Sequence, residues 1–214
     1  MKAGYTHVSM LLDRSGSMAT TKNDTIGGIN SFIEEQRKVP GVMTLTLCQF
    51  DTEYDVVHNA LDIQKIPLLT DQSFIPRGST ALLDALAKCI IDTGKKLAEI
   101  PEDDRPERVM MVIVTDGEEN SSREQTKKSV ADMVKHQEDA YKWHFVYIGA
   151  NQDAFSEAGK MGMSAGLNYH ASTVGTRSAY AALGKNVAAN RTSAPGTYSA
   201  MTQDDIDQEE KASK

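Results

Sequence analysis

Val109-Met110-Met111-Val112-Ile113-Val114-Thr115-Asp116-Gly117 is the most informative run in the chain. Its apolar part, Val109 to Val114, shows no alternation, so both faces of the segment need cover. That is the condition of a strand inside a parallel sheet with helices on either side. The run ends abruptly at Thr115-Asp116-Gly117, which leaves a carboxylate at the C-terminal end of the strand. A second segment near the start of the chain behaves in the same way. Tyr5 to Leu12 is mostly apolar and passes directly into Asp13-Arg14-Ser15-Gly16-Ser17.

Between and beyond these two strands, helical and extended patterns alternate. Asn23 to Arg37 carries Ile26, Ile29, Phe32 and Ile33 at helical spacing, with Glu34, Glu35 and Arg37 opposite, and Pro40-Gly41 stops it. Val42 to Phe50 and Tyr54 to His58, divided by Asp51-Thr52-Glu53, read as an antiparallel hairpin. A loop closed by Pro76-Arg77-Gly78 leads to Thr80 at the head of a helix marked by Leu82, Leu86, Cys89, Ile90 and Leu97. A polar linker, Pro101 to Glu107, precedes the central strand. Ser122 and Gln125 have capping-box spacing before a third helix with Thr126, Val130, Met133 and Val134 on its apolar stripe. Trp143 to Ile148 is the next strand. Asp153 to Lys160 reads as a short helix, Leu167 to His170 as a short edge strand, and Val174 to Ala189 as a terminal helix.

This alternation predicts an α/β fold: a Rossmann-like, doubly wound, mostly parallel sheet with one antiparallel edge strand and helices on both faces. In the common strand order 3-2-1-4-5-6, function gathers in the crevice where the order reverses. Here that crevice lies between the strand ending at Asp13 and the strand ending at Asp116. A chain of 214 residues suits one core with decoration. The expected organisation is one domain over 1–191 and a flexible acidic C-terminal tail over 192–214.

Composition narrows the partners. A formal net charge of -7 disfavours sequence-independent nucleic-acid binding, which needs clustered Lys and Arg. The start, MKAGYTHVSMLLDRSGSM, has no uninterrupted apolar core, so no secretory leader is expected. No stretch approaches the length of a membrane span either, and no membrane contact is expected. Cys48 and Cys89 sit in apolar runs without metal-type spacing and read as buried free thiols, which suits a reducing cytoplasm.

Asp13, Ser15 and Ser17 stand on alternate residues of one loop, where a curling backbone can aim three side-chain oxygens at one point. Hard divalent cations take such oxygens, and Mg²⁺ needs only one or two carboxylates because it keeps several waters. Gly16 suits the tight turn. Taken alone, the loop reads equally well as a turn that caps the next helix. Together with Thr80 and Asp116 it resembles the von Willebrand factor A-type (VWA) family in its compact intracellular bacterial and phage form. The metal-ion-dependent adhesion site of that family has the pattern DxSxS, a distant Thr, and a distant Asp after a hydrophobic strand. The resemblance spans residues 5 to 190, with order and spacing in agreement.

The resemblance implies a non-enzymatic interaction module. Asp13, Ser15, Ser17, Thr80 and Asp116 would hold Mg²⁺, with Mn²⁺ as an alternative, and a protein partner would offer an Asp or Glu to the metal. Two other functions compete. A Mg²⁺-dependent phosphohydrolase would want a second Asp two residues after Asp13, where Ser15 stands, and a phosphate-binding Lys that is not evident. Self-association would use a tail acid, Asp204, Asp205 or Asp207, as the ligand of a neighbour's metal.

The remaining chemistry-bearing residues read as structural. His7, His58, His136, His144 and His170 lack metal spacing. No His or Lys is placed to activate Ser15 or Ser17 as a nucleophile. Tyr141, Trp143, Phe145 and Tyr147 alternate as core residues of a strand. Glu118 and Glu119 are expected to favour the start of the third helix, and Arg14 and Arg77 to be solvated.

Overall fold

The computed structural model describes residues 1–150, 153–164, 166–194 and 197–213. A single sheet of six strands organises them: β1 (Lys2–Asp13), β2 (Val42–Phe50), β3 (Tyr54–Asp62), β4 (Pro106–Thr115), β5 (His144–Ala150) and β6 (Gly166–Tyr169). Their spatial order is β3-β2-β1-β4-β5-β6. Every neighbouring pair is parallel except β2 and β3. The expected fold class and strand order are both met.

Two apolar layers sandwich the sheet, as the unalternating β4 sequence requires. Val8, Met10, Leu12, Val112, Val114 and Ile148 face helices α1 (Lys22–Lys38), α5 (Thr173–Thr192) and α6 (Gln203–Ala212). Leu11, Met111, Ile113, Phe145 and Tyr147 face α2 (Leu82–Ala98), α3 (Lys127–Tyr141) and α4 (Ala154–Lys160). The chain leaves β1 through α1 on one side and returns to β4 through α2 on the other. The C-terminal ends of β1 and β4 therefore flank the reversal.

One chain of paired polar groups runs through this frame from β2 across β1 to α2. His7 Nδ1 lies 2.8 Å from Thr44 Oγ1 and its Nε2 3.1 Å from Ser9 Oγ, which in turn meets Thr93 Oγ1 of α2 at 2.9 Å. Burial pushes His7 down to about 4, with the charge of Lys96 adding to the effect.

Several boundaries differ from the sequence reading, for tertiary reasons. β4 begins at Pro106, inside the expected linker, because β1 extends back to Lys2 and offers it a partner. β3 continues to Asp62 past a bulge, with Ala60 at φ 48°. The cap of α3 is Thr126, which accepts from Ser129 N at 3.1 Å, and not Ser122. Tyr141 is the last residue of α3 and exposed, whereas Trp143, Phe145 and Tyr147 are buried.

The expected tail is also more ordered than its composition implies. Residues 203–212 form α6, whose Ile206 is fully buried on α5 and whose N-terminus closes a capping box between Thr202 and Asp205. Acidic composition hid the single apolar residue, Ile206, that docks this helix. Asp205 accepts from Thr202 N and Oγ1, and Asp207 from Gln203 Nε2. No helix among the described residues is long and apolar enough to cross a membrane.

Candidate metal centre

The reversal point brings together all five residues singled out from the sequence. Asp13 ends β1 with both carboxylate oxygens engaged: Oδ1 accepts from Ser15 N at 2.6 Å and Oδ2 from Thr115 Oγ1 at 2.6 Å. The first bond curls the DRSGS loop back on itself. The second ties β1 to the end of β4. Ser15 Oγ then lies 3.1 Å from Ser17 Oγ, and Ser17 Oγ donates to Asp116 Oδ1 at 2.6 Å.

Thr80 completes the set. A Cβ built on Gly117 would stand 3.0 Å from Thr80 Oγ1, 3.6 Å from Ser17 Oγ and 3.7 Å from Ser15 Oγ. Three hydroxyls therefore converge on the space beside Gly117, and a side chain at that position would crowd it. Asp13, Ser15 and Thr80 are buried, while Gly16 and Ser17 face solvent and give the cluster its opening.

Residues that the motif does not contain fix this geometry. Asp51, fully buried just beyond β2, accepts from Arg14 Nε at 2.8 Å and from Arg77 Nε at 2.9 Å. Its carbonyl also accepts from Ala81 N. One residue thus knits the DRSGS loop to the Thr80 loop, helped by Arg77 N to Arg14 O and Gly16 N to Gly78 O. Arg14 is consequently buried rather than solvated, and it also pairs with Asp55. Arg77 stays half exposed and also pairs with Glu53.

Asn120 clamps Thr80 from the other side, since its Oδ1 accepts from Thr80 N and its N donates to Thr80 O. Glu119 accepts from Leu83 N, Ser121 N and Ser122 N. It therefore serves the N-terminus of α2 instead of α3. Sequence reasoning passed over Asp51 as part of a hairpin break. The usable signal was that it follows β2, the parallel neighbour of β1, with Phe50 in register with Asp13.

The electrostatics suit a cation. Burial pushes the Asp13 carboxyl up to about 6, against the hydrogen bonds from Thr115 and Ser15, and the charge of Asp116 adds to the rise. Burial also raises Asp116. Asp51 behaves oppositely. Although burial pushes it up, hydrogen bonds from Arg77, Glu53 N and Arg14 hold it below the usual carboxylate range. Among the described residues, Asp13 and Asp116 make no ion pair with Lys or Arg, and neither belongs to a cluster of three or more His, Cys, Asp or Glu. The donor set is two desolvated carboxylates and three hydroxyls. Its chemistry, and a cradle that a side chain at position 117 would crowd, fit a hard divalent ion.

The chain has the fold of von Willebrand factor A domains. No protein-family model matches the sequence, and no curated protein matches it significantly. Solved structures do. A von Willebrand factor type A protein from Catenulispora acidiphila superposes with a TM-score of 0.59 at 15% identity, over 86% of this chain and 42% of that one. Proximal thread matrix protein 1 from the mussel byssus, with a zinc-occupied MIDAS motif, gives 0.60 at 15% identity, over 87% and 46%. The chain thus spans less than half the length of these structures.

Proposed function

We propose that this protein is a metal-dependent protein-interaction module: a divalent cation held by Asp13, Ser15, Ser17, Thr80 and Asp116 receives an Asp or Glu of a protein partner. The observation that carries the reading is the convergence of three hydroxyls from two loops beside Gly117, next to the buried Asp13 carboxylate and the half-buried Asp116 carboxylate. Two carboxylates roughly balance a divalent charge, and neutral hydroxyls leave the ion attractive to a further carboxylate when bound. Ser17 and Gly16 leave the approach open to solvent. The zinc-occupied motif of the mussel protein supports a divalent ion in this fold. Mg²⁺ is the ion proposed here, with Mn²⁺ as substitute, because every donor is oxygen.

A binding role is proposed rather than an enzymatic one. Ser15 Oγ and Ser17 Oγ contact each other and Asp116, with no His or Lys in the cluster to act as base. The buried free thiols Cys48 and Cys89 support a reducing, cytoplasmic setting. The acids proposed for self-association lie in α6, where Asp205 and Asp207 already have partners, so a separate protein is the better source of the carboxylate.

The test is calorimetric titration with Mg²⁺ and Mn²⁺, followed by pull-down from native cytoplasm in Mg²⁺ or chelator, each repeated with Thr80→Ala. The wild type should bind one ion and retain a partner only with metal, and Thr80→Ala should lose both. A partner held equally in every lane would refute the metal contact.

A further inference from the structure

Helix α2 begins without a cap of its own. The residue before it, Ala81, has no side-chain oxygen, and the first N–H groups of a helix have no acceptor within it. The segment that follows Asp116 supplies the acceptors instead. Glu119 Oε2 accepts from Leu83 N at 3.0 Å, and Ser122 Oγ from Asp84 N at 3.2 Å. In return the Asp84 carboxylate accepts from Arg123 N, Glu124 N and Gln125 N at 2.7, 3.0 and 2.8 Å. Two segments distant in sequence are thus closed along a seam of hydrogen bonds.

Asn120 differs from the rest of this seam because it bonds a residue of the metal centre itself. Its Oδ1 accepts from Thr80 N at 2.9 Å, its backbone N donates to Thr80 O at 3.1 Å, and Ser121 N donates to the same carbonyl at 3.2 Å. Both polar backbone atoms of Thr80 are therefore engaged from the Asp116 side. Thr80 stands before the first residue of α2, so the regular helix does not fix its backbone. That backbone sets where Thr80 Oγ1 lies beside Gly117, the residue after Asp116.

We propose that Asn120 is a positioning residue of the metal centre: it seats Thr80 on the Asp116 loop, so that two donors from distant segments are presented as one unit. The inference rests on the metal-binding reading above. A neutral hydroxyl brings little charge to a cation, and its contribution depends on being held in place. Groups that orient metal ligands typically change affinity about tenfold to a hundredfold. Asn120 is exposed, so water can take over its bond to Thr80 N when the side chain is removed. Orientation is then lost with little loss of stability.

The test compares the wild type with Asn120→Ala, Asn120→Asp and Ser122→Ala in the full chain. Mn²⁺ affinity is measured by electron paramagnetic resonance. Without metal, melting temperature is measured by scanning calorimetry and hydrogen exchange of the Thr80 amide by nuclear magnetic resonance. Asn120→Ala should weaken Mn²⁺ about tenfold or more, speed exchange at Thr80 N, and move the metal-free melting temperature by no more than about 2 °C. Asn120→Asp keeps an acceptor for Thr80 N and should hold Mn²⁺ at least as tightly as the wild type. Ser122→Ala removes a cap from α2 without touching Thr80, and it should leave Mn²⁺ binding unchanged. Wild-type affinity in Asn120→Ala would overturn this inference alone. Equal losses in Asn120→Ala and Ser122→Ala, or no recovery in Asn120→Asp, would overturn it in favour of general capping of α2. No Mn²⁺ binding by the wild type would overturn both readings.

Discussion

Asp51 and Thr80 illustrate two different kinds of site residue. Thr80 offers its hydroxyl to the cluster, and Asp51 ties together the two loops that carry it through Arg14 and Arg77. Removing the hydroxyl should cost binding with little cost in stability. Saturating metal at about one hundred times its dissociation constant stabilises a fold by about 2.7 kcal/mol. Mg²⁺ should therefore raise the melting temperature of the wild type, and Thr80→Ala should show no such rise in the same scan. Asp51→Ala should do the reverse and lower stability in the absence of metal. It leaves the buried Arg14 with only the exposed Asp55 as an acidic partner, a loss of about 1–3 kcal/mol, which urea denaturation in chelator would register. An unchanged urea midpoint would mean that the loops are held by their backbone bonds alone.

Elements are joined by contacts between faces that sequence periodicity only half reveals. α1 and α5 cross where Gly28 meets Tyr180, so Gly28→Ala forces the ring aside and should destabilise by about 1–3 kcal/mol. The urea midpoint measures this, and no loss would show that the interface can relax. α6 depends on Ile206, which is fully buried in an otherwise polar helix. Ile206→Ala should cost about 2–5 kcal/mol if the helix is integral to the core. Rapid amide exchange confined to residues 203–212, with the global midpoint unmoved, would instead mark α6 as a separately opening unit.

For the molecule as a whole, buried histidines set the response to acid. His7 titrates at about 4 when folded and at 6.5 in its ordinary state. Between those values the unfolded chain binds a proton that the native state refuses, so stability is complete above the upper value and falls as pH drops through the window. A shift of this size is worth about 3 kcal/mol at its limit. Burial lowers His58 and His144 as well, with the same sign. Asp13, pushed up by burial, acts oppositely in metal-free protein, but it is common to any pair of variants compared. Urea midpoints at pH 7.5 and 4.5 should differ less for His7→Gln than for the wild type. Equal differences would remove His7 from the account.

The sheet order, the two strands that end in carboxylates and the five candidate ligands were legible because each leaves a local trace. An unalternating apolar run requires cover on both faces, and alternate oxygens on a short loop require a common target. Asp51 and Asn120 left no such trace. Their roles depend on which loops and strands become neighbours, and a residue at the end of one strand carries no mark of what stands beside the next. α6 escaped for a related reason, because one apolar side chain in an acidic segment has meaning only once the surface that receives it has formed. Periodicity and motif chemistry, written along the chain, thus specified the frame and the donor set. The packing of elements distant in sequence decided what holds those donors in place, since burial and partnership are properties of neighbours in space.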